Sequence, residues 1–187
     1  MLGTPGQQPP PSTGPVPIHD RLSGGDPRTL HKVDELIACV LDGDDEVLRM
    51  RAGDALEKVC RARPWLLQPH ASLLLGDMSK IHQRSVQWHV AQMLGHLRLT
   101  GAQRGRAVRL MRQNLDESTD WIVLSCSLDT LAVLARQDPA VIDDLGGQLR
   151  RHEHSGHKSL ANRARRLRVE LGPDPAAPAE TRNEGST

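Results

Sequence analysis

The chain has 187 residues, 37% of them hydrophobic, with 24 Lys+Arg against 23 Asp+Glu and a formal net charge of +1. That balance gives no whole-chain case for nucleic acid, an acidic ligand or a membrane surface. Three Trp with no Phe or Tyr argue against an all-β sandwich, whose strands favour aromatic residues. Cys39, Cys60 and Cys126 are an odd number without a CxxC spacing, which fits reduced thiols in the cytoplasm and excludes a disulfide framework. No apolar run approaches the ~18 residues of a membrane span, and residues 1–20 show no secretory signal pattern.

Residues 1–28 hold seven prolines and five glycines and read as a disordered leader. A Pro-rich ligand is the sharper alternative for this stretch, and a plain flexible leader the simpler one. From 29 to 171 the apolar residues recur at helical spacing, over a one-domain length. Leu30, Val33, Leu36, Ile37, Val40 and Leu41 form one stripe, and Val47, Leu48, Ala52, Ala55, Leu56 and Val59 a second. Between them Asp42-Gly43-Asp44-Asp45 makes a turn that places acids at the positive start of the next helix. The spacing predicts first helices over 29–41, 64–78, 102–115 and 139–152, with partners over 46–61, 82–97, 119–136 and 157–171. Pro64 and Pro139 fall at first-turn positions, Pro139 after an Asp138 cap, and Gly101 and Gly156 at breaks. Gly172 to Thr187, with Pro173, Pro175 and Pro178, reads as a disordered tail.

The pairs repeat. Ala52, Ala55, Leu56 and Val59 map onto Val90, Met93, Leu94 and Leu97 with a shift of 38, then onto Ser127, Thr130, Leu131 and Leu134 with a shift of 37. A last shift of 36 reaches Arg163, Arg166, Leu167 and Glu170, a degraded copy of the kind expected of a terminal cap. Helix pairs at this period, with Asp45-Glu46-Val47-Leu48-Arg49-Met50-Arg51-Ala52-Gly53-Asp54-Ala55-Leu56 as the best match, resemble HEAT and HEAT-like repeats. The resemblance covers about three quarters of the chain. It implies an all-α fold, a short right-handed α-solenoid of about four helix pairs between two disordered tails. Gln87 and Leu124 stand where the first repeat has Arg49, a departure that tells against an Asp–Arg ladder between repeats.

The resemblance also implies that the second helix of each pair lines a concave face. At 100° per residue, Val86, Val90, Met93 and Leu97 centre the buried stripe of the second such helix. Trp88, His89, Gln92 and His96 then face the groove. Their counterparts are Met50, Arg51, Asp54 and Lys58, next Ile122, Ser125, Cys126 and Asp129, and last Lys158, Asn162 and Arg165. Trp88 is the expected anchor, since Trp is favoured at binding hot spots; burial against the next repeat is the alternative.

Seven basic residues and one acid lie between Arg150 and Arg168, against eight acids and three bases between Thr29 and Glu57. Arg98 to Arg112 adds five arginines and no acid. Arg150, Arg151, Lys158, Arg163, Arg166 and Arg168 would form a phosphate-binding end without base readout, or a solvated basic cap. His82, His89 and His96 lie nearly in line but too far apart to share a metal. His152, His154 and His157 beside Glu153 lack a fourth ligand, so no metal or other cofactor is expected.

Nothing reads as a catalytic motif, and Cys126 reads as an inert thiol within an apolar helix. Some HEAT-like proteins are DNA glycosylases; Trp88, Trp121 and Asp129 would take those roles, but their spacing does not match. The expectation is a non-catalytic scaffold or adaptor that binds a protein or peptide in its groove. The alternatives are nucleic-acid binding by the basic end, glycosylase-like or not, and self-association of acidic end with basic end.

Overall fold

Asp26 starts the first helix two residues earlier than the hydrophobic pattern suggests. Its carboxylate accepts from the Arg28 amide, and Pro27 fills the first helical position, where a missing N–H costs no bond. The computed structural model describes residues 26–138 and 141–172, and for 142–144 the backbone alone. The remaining positions of the expected leader and tail, and the expected helix-starting Pro139, lie outside the described residues.

Among the described residues the secondary structure is entirely helical. The helices are α1 (Pro27–Asp42), α2 (Glu46–Ala62), the single turn α3 (Ala71–Leu74), α4 (Arg84–His96), α5 (Gly101–Glu117), α6 (Trp121–Ala135), α7 (Ile142–Glu153) and α8 (Lys158–Leu171). Local chemistry fixes the starts. Asp45 Oδ1 accepts from the amides of Val47 and Leu48 at 2.8 and 3.3 Å, and Asp120 Oδ1 from those of Ile122 and Val123 at 2.9 and 3.2 Å. Thr100 and Gln103 cap α5 reciprocally. Gly172 leaves α8 at φ +82°, a conformation that favours glycine.

The helix expected over 64–78 is not continuous. The chain instead makes 3-10 turns at Pro64–Leu66, Gln68–His70 and Met78–Lys80, with α3 between. Pro69 has no N–H for the carbonyl four residues back, and its ring disfavours α geometry at Gln68. Leu66, Leu67, Ala71, Leu74, Leu75 and Met78 are buried all the same, so the segment fills a helix's place with shorter pieces.

The second helices pack in series: α2 on α4, α4 on α6 and α6 on α8, while α1 lies on α2, α5 on α6 and α7 on α8. One apolar core runs without a break from Val33 in α1 to Leu167 in α8. Arg49 ties the first pair to the next, donating to the carbonyls of Val40 and Gly43 and, at 3.0 Å, to Gln83 Oε1. In the middle of the stack Thr130 donates to the Ala91 carbonyl at 2.7 Å, joining α6 to α4.

Burial corrects the last step of the repeat. The second helices begin at Glu46, Arg84, Trp121 and Lys158, so the final shift is 37, not 36. In that register Val123, Leu124, Ser127 and Thr130 correspond to Leu160, Ala161, Ala164 and Leu167, every one of them buried. The fourth copy therefore keeps its inward face, while Leu128 and Leu131 give way to the exposed Arg165 and Arg168 on the side that no described helix covers, as in a terminal cap. A one-residue slip had turned its core onto arginines, because each residue rotates the helix by ~100°.

Candidate groove on the second helices

One register position stays open along the whole series. Met50, Trp88, Ser125 and Asn162 are exposed or half-buried, whereas Ala52, Val90, Ser127 and Ala164, two residues on, are at most 3% exposed. Trp88 is half-buried: it packs on the core, and its ring meets the edge of His89 with centroids 5.6 Å apart. Asp54, Gln92 and Asp129 occupy the next open row, and in the corrected register the fourth member is Arg166. Lys58 holds Asp54 at 2.7 Å, and that hydrogen bond keeps the Asp54 carboxyl below its usual range. Arg163 reaches Asp129 at 3.3 Å, yet burial outweighs it and raises the Asp129 carboxyl.

His89 was expected in the groove and is not there. It is 7% exposed and turned towards Gly53 of α2. Its register position faces the preceding second helix, as does that of Cys126, also buried. Arg51 holds the same position in α2, but no described second helix precedes α2 in the series, so it is exposed. Arg165 is displaced for the converse reason. It corresponds to Gly53, Ala91 and Leu128, which face the following helix, and α8 is the last described helix. The Arg165 guanidinium donates to Asn162 Oδ1 at 2.6 Å and to the Glu153 carbonyl. His96 is exposed and lies 3.9 Å from the buried carboxylate of Glu57.

The basic end divides into separate groups. Arg151 pairs with Asp116 of α5 at 3.4 Å, and Arg168 with Glu153 of α7. Arg150, also on α7, lies off the second-helix face. Lys158 begins α8 and is exposed. Arg163 and Arg166 of that set line a pocket with Trp121, Ser125, Ser159 and Asn162, enclosing about 310 Å³ between α6 and α8. Trp121 is 40% exposed and stacks on His157 with centroids 4.3 Å apart and an interplanar angle of 11°. A wider hollow of about 500 Å³ lies beside Trp88, between Glu46, His82, Arg84 and Asp120.

Trp121 and Ser159 were missing from the expected groove. The signal was available: Trp121 is the first residue of its helix, level with Glu46 and Arg84, on the rim of the same face. Its partner His157 is 36 residues away, which no periodicity within one helix reveals.

Burial pushes the Cys126 thiol up to about 12, and that of Cys60 likewise, so neither supplies thiolate near neutrality. Among the described residues no three His, Cys, Asp or Glu side chains converge as metal ligands. No described helix is long and apolar enough to cross a membrane. The chain matches no family model, no curated protein and no solved structure.

Proposed function

We propose that the chain is a short right-handed α-solenoid of HEAT-like helix pairs that works in the cytoplasm as a non-catalytic binding module. It holds an extended segment of another protein along the face of α2, α4, α6 and α8. One observation carries this: a single register position, Met50, Trp88, Ser125 and Asn162, stays open on four successive helices above a buried row. Stacked repeats that keep one row open present a preformed surface, and binding to it costs little reordering. Trp88 and Trp121 stand in adjacent pockets on that face and suit the role of anchors.

Nucleic-acid binding by the whole basic end has less support, because Arg151 and Arg168 already face carboxylates and Arg150 lies on another helix, α7. The test is capture of a protein from native lysate by the full chain, at ~50 mM and ~500 mM salt with nuclease treatment in parallel. The same partner should be retained through both treatments and lost with Trp88→Ala and Trp121→Ala. Retention that vanishes with nuclease or high salt would move the function to the phosphate backbone.

A further inference from the structure

The pocket between α6 and α8 differs from the rest of the groove in its chemistry. No acid lines it; the six lining residues are two arginines, three neutral hydrogen-bonding side chains and Trp121. Two of the polar groups, Arg163 and Asn162, are held by neighbours in a way that leaves donors for a ligand. Arg163 turns its Nε towards Asp129 Oδ1 at 3.3 Å, which steadies the guanidinium and leaves its two terminal nitrogens available. Asn162 lines the pocket and accepts from Arg165 through Oδ1 at 2.6 Å, which leaves its NH2 group as a donor. Arg166 lines the same pocket one helical turn further along α8. Ser159 sits in the first turn of α8, whose cap residue His157 makes no side-chain capping bond, and the helix start adds positive potential there. Trp121, fixed by its stack on His157, supplies a flat apolar wall.

Two arginines, three neutral hydrogen-bonding side chains and one flat wall in about 310 Å³ suit a tetrahedral dianion on a short stem. The surrounding face does not suit a polyanion. Towards α2 the charges alternate and neutralise one another, with Arg84 3.9 Å from Asp120, Lys58 on Asp54 and Glu46 on the rim, so a nucleic-acid backbone tracking the face would find no continuous run of cations. A peptide with one phosphate needs no such run.

We propose that this pocket binds the phosphoryl group of a phosphorylated side chain, with Arg163 and Arg166 pairing with its oxygens, Asn162 donating to them and Trp121 packing on its stem. The proposal rests on the groove binding a protein segment, and it names the class of segment: one made competent by phosphorylation.

The test uses the full chain. In ¹H–¹⁵N spectra, O-phosphoserine at millimolar concentration should shift the Trp121 indole N–H, the Asn162 side-chain amide and the Ser159 amide, while serine leaves them in place. A degenerate phosphoserine peptide library should bind at least ~10-fold tighter than its unphosphorylated counterpart. Arg166→Gln should remove that preference, and Arg168→Gln, which changes an arginine paired with Glu153 outside the pocket, should keep it. Circular dichroism of both variants checks the fold. Equal binding of the two libraries, lost with Trp88→Ala, would overturn the phosphate subsite and leave the groove standing. Binding of neither library would overturn both. A ten-nucleotide oligothymidine that binds more tightly than the phosphopeptides, and is lost with Arg166→Gln, would make the pocket a nucleic-acid site and overturn the proposal.

Discussion

The imidazole of His89 lies against the backbone of Gly53 in the neighbouring helix. A methyl group added at Gly53 would stand 3.1 Å from the His89 Cδ2, closer than ordinary van der Waals contact. Glycine in a helix interior costs ~1 kcal/mol relative to alanine, so Gly53→Ala carries a propensity gain against a packing loss. His89 is 7% exposed and wedged between α2 and α4, which leaves the ring little room to withdraw. The packing loss should win, with a net destabilisation of ~1–2 kcal/mol in urea unfolding. An unchanged or higher midpoint would show that the ring has space to move.

The same burial makes folding sensitive to acid. His89 is lowered from 6.5 to about 4, first by removal from water, then by the Lys58 charge, with the Asp54 carboxylate opposing. Its Nδ1 finds no hydrogen-bond partner among the described residues. Between those two values the unfolded chain binds a proton that the folded chain does not. Stability is therefore full above pH 6.5 and falls as the pH drops towards 4. Chemical denaturation should show a loss of ~2 kcal/mol between pH 7.5 and 5 that His89→Gln removes. Parallel curves for the two proteins would mean that His89 protonates freely in the fold.

Trp88 is expected to have two effects at once. Because it packs on the core and against His89 while half-exposed, Trp88→Ala should cost ~1–3 kcal/mol, more than a surface change and less than a full core truncation. Partner capture should fall below detection at temperatures where the variant remains folded, as judged by circular dichroism. A fully stable variant that still captures the partner would remove Trp88 from both the core and the groove.

Stability should peak in the middle of the stack. Leu94 in α4 is fully buried between neighbours on both sides, and Leu94→Ala should cost ~2–5 kcal/mol. Leu30 on α1 is 38% exposed, and Leu30→Ala should stay within ~0.5 kcal/mol. Equal effects at the two sites, read from thermal melts, would contradict a core that is densest at α4 and α6.

What the sequence determined was chiefly what a few neighbouring residues decide among themselves. Asp45, Thr100 and Asp120 cap helices through side chains two or three positions from the amides they serve, and the starts expected at 46, 102 and 119 fall within two residues of the starts these caps set. The buried stripe of α4 was legible too: Val86, Val90 and Met93 are 2%, 2% and 1% exposed, because a period of 3.6 sets one face apart, and Leu97, just past the helix end, is buried with them. Pro69 was equally visible, and its effect on 64–78 is local chemistry that hydrophobic spacing alone overrides on paper and not in the chain.

Tertiary structure decided what lies beside that stripe. His89 and Trp88 are adjacent in sequence and both flank the core, yet one is closed over by Gly53 and the other opens onto the groove. The difference depends on a helix 36 residues away and on that helix having no side chain at the contact. The pocket at Trp121 follows the same rule. It exists because α8 packs on α6 in a register of 37, which brings Asn162, Arg163 and Arg166 up to Trp121 and Ser125. Periodicity within a helix fixes the direction of each side chain, but only the packing of the next helix determines whether that direction ends in protein or in solvent.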